Sequence, residues 1–390
     1  MTPWTLLGAY ALLTASTQML WLTYAPITTG AAAALDTTAG GIGWLSAVFQ
    51  ALYILLSVPA GRWLDRHFPV ALGVGALGVA VGALVRMAAP EQFTAQLAGQ
   101  ILIALAQPLV LNAVTGISTR YFPPRDRAVV VGVSTASLFL GILVAMVSGP
   151  LLMEAGGLGL VLLAQAVPTV VVAAALVVGL RLRPPAPVPP VPEAQRGVYL
   201  DPLMWRLGLL LFVGYGVFAG LSTWLEPILG VYGITSVQSG TLTAVMVLAS
   251  LLGSALLAPV VVRRGRSRDM LCGSLLVGAV SLAAIATAHP LPWVGAWLAV
   301  CGLFTMSTLP VVLELAETNV PASSQGAAVG FLMLLANAGA LVMVLAVQGV
   351  LHTAPWPLVV LAAALMLVVP LAARLPAAFR SARPADVTPR

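Results

Sequence analysis

"LGLLLFVGYGVFAGLSTWLEPILG", residues 207–230, carries a single ionisable carboxylate, Glu226, in an otherwise apolar run. About 20 apolar residues in a helix cross the hydrocarbon core of a bilayer, so the stretch reads as a transmembrane helix. Its surroundings agree. Of 390 residues, 60% are hydrophobic and 8% charged, whereas a water-soluble domain carries about 25% charged residues. Runs of the same kind recur at roughly 4–34, 41–63, 69–89, 92–119, 127–153, 158–180, 204–230, 236–262, 270–288, 293–317, 325–351 and 357–376. The expected fold class is therefore an all-α membrane protein with twelve transmembrane helices. The first run has no basic n-region and no small-residue cleavage site, so it is expected to be a retained span.

Charge placement supplies a topology. All 18 cationic residues are arginine. With a cytoplasmic N-terminus, every one except Arg86 falls in an inner loop, an inner helix end or the C-terminal tail. This is the positive-inside pattern, and it predicts a multi-pass protein of the plasma (inner) membrane with both termini cytoplasmic. The arginines are loop anchors, not a stripe on one face, so no nucleic-acid partner is expected. Cys272 and Cys301 lie in apolar runs without metal-ligand spacing and read as buried thiols. No metal or cofactor is expected.

Residues 181–202, "RLRPPAPVPPVPEAQRGVYLDP", are proline-rich and polar and suit a semi-extended connector. They divide the chain into expected bundles at 1–181 and 204–376, with a linker at 182–203 and a tail at 377–390. The halves resemble each other. "GWLSAVFQALYILL" (43–56) aligns with "GTLTAVMVLASLLG" (240–253), and "AVVVGVSTASLFLG" (128–141) with "GAAVGFLMLLANAG" (326–339). Six-helix repeats about a central path are a transporter architecture.

The 61–72 segment, "GRWLDRHFPVAL", resembles the loop between the second and third helices of the major facilitator superfamily. Gly61, Asp65 and Arg66 match that pattern, while Phe68, Pro69 and Val70 replace its later glycine and basic residue. The resemblance implies a major facilitator fold of two pseudo-symmetric bundles. Four stretches resemble the feline leukaemia virus subgroup C receptor-related (FLVCR-type) solute carriers. They are "MLWLTYAPITTG" (19–30), "IGWLSAVFQALYI" (42–54), "AQPLVLNAVTGISTRYFPPRDRA" (106–128) and "LPVVLELAETNVPASSQGAAVGFLMLLANAG" (309–339). That family moves small organic cations such as choline and ethanolamine, and one branch moves pyridoxine with protons. Haem export has also been claimed for it.

The resemblance places a substrate site residue by residue. Trp21 corresponds to the aromatic that packs on a cationic head; the ring quadrupole attracts a desolvated cation by about 2 kcal/mol. Asn337 stands where the family has a glutamine, and Phe139 where it has another. Phe218 keeps the first member of an aromatic pair and Ala219 loses the second, with Tyr215 one turn earlier as a stand-in. Gln50 replaces an apolar position. Gln18, three residues before Trp21, shares its face. Asn112 and Gln107 read either as substrate contacts or as interhelical hydrogen-bond partners.

Glu226 has three readings: a side chain reaching the outer surface, a counter-charge for a cationic substrate, or a proton-coupling carboxylate in an outer vestibule. Pro227 beside it removes a backbone hydrogen bond and is expected to bend the helix. Glu314 and Glu317, three apart near an inner helix end, are expected to form a cytoplasmic gate with Arg120, alongside Gly61, Asp65 and Arg66.

No catalytic Ser-His-acid set, metal cluster or phosphate loop is present, so the chain is not expected to be an enzyme. The glycines of "GVGALGVAVG" (73–82) lack a preceding strand and serve helix packing. The expected function is secondary active transport of a small organic solute by a monomer in a lipid bilayer, with protons as the coupling ion. The alternative is a drug–proton antiporter exporting lipophilic cations. Against it, "SGPLLMEAGG" (148–157) has Gly149-Pro150 but carries Gly156-Gly157 further out than such antiporters do.

Overall fold

In the computed structural model the chain is described over residues 2–186, 199–321 and 324–375. Most of the proline-rich linker and the 377–390 tail lie outside the described residues, as do positions 322 and 323 before the eleventh span.

Helices account for the expected spans. Ala39–Ala88 and Arg127–Leu182 run for 50 and 56 residues. At about 1.5 Å per residue, each would be more than twice the thickness of a membrane. Both are pairs of helices meeting at a non-helical point: His67 in the first, Gly156 and Gly157 in the second. Gly157 has φ 69°, a left-handed conformation that favours glycine. Gly156-Gly157 therefore makes the turn between the fifth and sixth spans. Dividing the two long elements gives twelve spans among the described residues: 3–34, 39–66, 68–88, 93–121, 127–155, 158–182, 202–230, 236–263, 267–287, 291–319, 325–350 and 356–373.

Several spans are interrupted. Span one stops at Trp21, passes through an irregular stretch and a short 3-10 turn at Ala25–Ile27, and resumes as Thr28–Ala34. Pro26 has no N–H to continue the ladder. Span four breaks at Asn112 and Ala113, and span ten at Met306 and Ser307. Irregular backbone at membrane depth is tolerated only where protein or a cavity surrounds it. Span seven runs without interruption from Pro202 through Pro227 to Gly230, so Pro227 falls in its last turn and does not break it.

The packing forms two compact units. The first comprises Met1–Pro190, Gly220–Val247 and Val344–Ala354; the second comprises Val191–Ala219, Leu248–Met343 and Pro355–Arg390. The units differ from the sequence halves because the ends of spans seven, eight and eleven that lie distal, away from the linker, pack with the first half of the chain. One crossing is used in both units. In the first, span one meets span five where Gly141 lies on Ala15, and a Cβ there would collide with the Ala15 carbonyl. In the second, span seven meets span eleven where Gly339 lies on the Phe212 carbonyl. Gly141 and Gly339 are the last residues of one pair of aligned repeats.

Around the half-helix Thr28–Ala34 the first unit has a distal apolar core of Tyr24, Ile27, Ala31, Leu35, Ile42, Leu45, Leu158, Val161 and Leu162. It fixes the half-helix on which the candidate site is built.

Candidate functional site

Glu226 is 5% exposed. Its carboxylate is turned into the first unit, which excludes the surface-reaching reading for this conformation. The backbone N–H of Thr29 donates to Oε2 at 3.2 Å, and Thr29 Oγ1 donates to the same oxygen at 3.1 Å. Ser236 Oγ donates to Oε1 at 2.9 Å. Ser236 opens the helix Ser236–Leu252, where the end of the helix dipole favours negative charge. The ion pairs among the described residues are Arg125–Asp126 and Arg268–Asp269. Glu226 is thus held by neutral donors, each worth about 1.5–3 kcal/mol to a charged group. Burial of an ionised carboxylate costs several kcal/mol in opposition. The two contributions are of similar size, so a single proton can decide between them.

Two residues before Glu226, Trp224 is fully buried, and its Nε1 donates to the Val344 carbonyl at 2.9 Å. The far edge of its indole lies over Gly43, where a Cβ would collide with the ring. Gln348, on span eleven, lies across the same face: its amide would sit 2.8 Å from a Cβ at Gly43 and 3.1 Å from one at Gly40. Spans one, two, seven, eight and eleven therefore meet at their distal ends through Thr29, Gly43, Trp224, Glu226, Ser236 and Gln348. Of these, only Glu226 stood out in the sequence. The available signal for the rest was a tryptophan two residues from an intramembrane acid, opposite the glycine-rich start of span two.

Trp21 ends the first helix of span one and is 3% exposed. With the Gln50 amide turned to satisfy both of its groups, Trp21 Nε1 donates to the Gln50 oxygen at 3.1 Å, and the Gln50 nitrogen donates to the Ser46 carbonyl at 2.7 Å. The structure thus brings these two expected site residues together. Gln18, Gln107 and Phe139 are buried in the same unit. Asn112 sits in the break of span four, accepting from Tyr53 Oη at 2.8 Å and donating to the Ser57 carbonyl at 3.1 Å; it joins spans two and four. In the second unit, Tyr215 and Phe218 stack at a tilt with ring centroids 6.3 Å apart. There Asn337 donates to the Met333 carbonyl of its own helix at 2.9 Å.

At the linker side of the first unit, Pro69 has no N–H to offer the Asp65 carbonyl four residues earlier. Arg120 Nη2 donates to that carbonyl at 3.1 Å, with its guanidinium over the Phe68 ring at 5.3 Å. Phe68-Pro69 thus replaces the expected glycine and base with a different lock between spans two and four. Gly61 has open space where its Cβ would be. Arg66 is exposed and lines a shallow hollow with Pro59, Arg62, Trp63 and His67. Glu314 and Glu317 are exposed on the second unit.

Known proteins match this arrangement. The chain is 30% identical over 342 residues to solute carrier family 49 member A3 of Danio rerio, covering 82% of this chain and 72% of the relative. It is 24% identical over 354 residues to the protein of that name in Xenopus tropicalis, with the same coverages. A bacterial homologue of the human lysosomal transporter Spinster, solved in an inward-facing and unoccupied conformation, superposes with a TM-score of 0.72 at 18% identity, covering 94% of this chain and 91% of that one. An auto-inhibited POT-family peptide transporter gives 0.73 at 13% identity, with 97% and 99% covered. The Major Facilitator Superfamily model matches residues 6–241 and 227–389, and the chain belongs to that superfamily of membrane transporters.

Proposed function

We propose that this transporter is a secondary active carrier of FLVCR-type character, moving a small organic solute of the amine or vitamin-like class (choline, ethanolamine, pyridoxine) by alternating access. The observation that carries the reading is Glu226: a buried carboxylate on span seven, held by neutral donors from spans one and eight, at the distal meeting point of five spans. A group of this kind latches the outer side when closed and releases it when its proton or its donors leave. The similarity to solute carrier family 49 over 82% of the chain supports a solute carrier, and the solute class follows the FLVCR-type resemblance. The Trp21–Gln50 pair at the break of span one supplies an aromatic face beside an amide for a cationic head. Arg120, Glu314 and Glu317 are the inner-gate residues in this reading. The positive-inside pattern supports cytoplasmic termini in the inner membrane. A cysteine at position 190 is accordingly expected to label only from the cytoplasmic side, and labelling from outside reverses the topology.

A thermal-shift screen of purified protein against amines, vitamins, amino acids and organic acids at two pH values tests the solute class. Hits confined to one narrow class of small amines are expected; a broad response to bulky lipophilic cations turns the reading to drug–proton antiport. With the strongest hit, Trp21→Ala is expected to lose roughly thirty-fold in affinity, the equivalent of a desolvated cation–π contact of about 2 kcal/mol. Trp21→Phe is expected to retain part of it. Unchanged affinity in the alanine variant assigns Trp21 to packing.

A further inference from the structure

Arg86 lies outside the positive-inside pattern, and it is 1% exposed. Its guanidinium meets no carboxylate among the described residues. Nη1 donates to the Leu20 carbonyl at 3.3 Å and to Gln100 Oε1 at 3.0 Å; Nη2 donates to Thr23 Oγ1 at 2.9 Å; the charge stacks on the Tyr24 ring at 5.1 Å. Its Nε–H finds no acceptor among the described residues. Leu20, Thr23 and Tyr24 are the residues at which span one breaks. The helix Pro3–Trp21 ends there, in the protein interior; its last carbonyls lose their ladder partners, and the Thr23 hydroxyl reaches those of Met19 and Leu20 at 3.2 and 3.0 Å. A helix C-terminus carries about half a negative charge, and a cation beside it is stabilised. The break and the arginine therefore compensate one another: the open helix end is the counter-charge of Arg86.

The surrounding groups hold this arrangement from every side. Tyr24 Oη donates to Gln96 Oε1 at 2.6 Å, and Gln96 Nε2 donates to the Arg86 carbonyl at 3.0 Å. Thr23 Oγ1 donates to Gln165 Oε1 at 2.6 Å, and Gln100 Nε2 donates to the Leu45 carbonyl at 3.1 Å. Spans one, two, three, four and six share one polar knot. Immediately beyond it the chain resumes as Thr28–Ala34, whose Thr29 donates twice to Glu226.

We propose that Arg86 is a positioning residue of the transport cycle: by holding span one open at Leu20–Tyr24, it fixes the half-helix that presents Thr29 to Glu226. An arginine suits this role because its planar fork meets several acceptors at once, whereas a lysine keeps the charge alone. The proposal rests on the latch reading of Glu226, and the test separates the two. Ser239→Cys, at a position 1% exposed on span eight, serves as reporter in a background with Cys272→Ser and Cys301→Ser. Its reaction with a membrane-impermeant maleimide measures opening of the distal side.

Glu226→Leu alone is expected to raise the labelling rate about tenfold; no change there ends the latch reading whatever Arg86 does. Arg86→Met, which keeps the packing and removes the charge, is expected to raise the rate about tenfold when Glu226 is present. In the Glu226→Leu background it is expected to add less than about twofold, because contacts acting through one another are non-additive. Arg86→Lys is expected to stay within about threefold of the parent. Should Arg86→Met not purify as a folded protein, Thr23→Val removes the Nη2 acceptor at constant shape and is run in the same two backgrounds. Equal effects in both backgrounds, or none in either, overturn the proposal. A lysine variant as fast as methionine overturns its charge component.

Discussion

Gly43→Ala shifts the transporter toward its outward-open form, and the Ser239→Cys reporter then reacts with external maleimide at least tenfold faster than in the parent. The expectation comes from one close approach. The indole of Trp224 occupies the space that a Cβ at position 43 requires, and the Gln348 amide oxygen lies only 2.8 Å from that point. Trp224 cannot retreat without cost. It is fully buried, and its Nε1 is committed to the Val344 carbonyl. Overpacking of this kind costs about 1–3 kcal/mol, and 2 kcal/mol applied to one of two states changes their ratio roughly thirty-fold. The added methyl matters only where spans two and seven touch, so the cost falls on the closed form.

Two controls separate a gating effect from general damage. Gly230 lies at the end of span seven, and a Cβ there meets nothing; Gly230→Ala is expected to label as the parent does. Trp224→Phe removes the ring atoms that a Cβ would strike. The double variant Gly43→Ala/Trp224→Phe is expected to recover part of the slow labelling. Parental labelling in a folded Gly43→Ala protein would show that spans two and seven do not form the outer gate.

The membrane fold was legible because hydrocarbon imposes a simple rule: a spanning helix needs a long apolar run, and charges collect at its ends. The two continuous elements, Ala39–Ala88 and Arg127–Leu182, each cover two of the expected runs and turn at His67 and at Gly156-Gly157. The site was legible only in part. Glu226 announces itself as an acid in an apolar run, while Trp21 and Gln50 follow from the resemblance to FLVCR-type carriers, and the structure places them together. Gly43 and Trp224 were not visible, because a helix contact depends on which faces meet and the period of the pattern does not record that. Arg86 was noticed as an exception to the charge rule, but its partners are carbonyls and amides supplied by a broken helix. A sequence lists side chains; the freed carbonyl of Leu20 appears only where the helix Pro3–Trp21 ends, and that of Asp65 only where Pro69 interrupts the ladder. Pro227 lies in the last turn of span seven, where few residues lie beyond it to be re-aimed.

The Glu226→Gln transporter should bind and exchange its solute but lose accumulation driven by a pH gradient. In the structure one carboxylate oxygen faces the two Thr29 donors, and the other faces Ser236 Oγ. A glutamine fits this pattern: its carbonyl oxygen accepts from Thr29, and its NH2 donates to Ser236 Oγ, whose hydroxyl turns to accept. A protonated glutamate would make the same contacts. The variant thus reproduces the neutral latch and cannot take up or release the proton. On the proposed reading the wild-type latch is finely balanced, because the burial cost of the ionised carboxylate and the contribution of its neutral donors are of similar size. On that reading, proton movement and gate movement are joined in wild type and separated in the variant. Uptake into proteoliposomes, with the solute found by the thermal-shift screen, checks this with and without an imposed pH gradient. If Glu226 is instead the counter-charge of a cationic solute, Glu226→Gln weakens binding at every pH and lowers exchange as well. If the variant accumulates solute on a pH gradient as the parent does, coupling resides elsewhere and Glu226 serves the gate by hydrogen bonding alone.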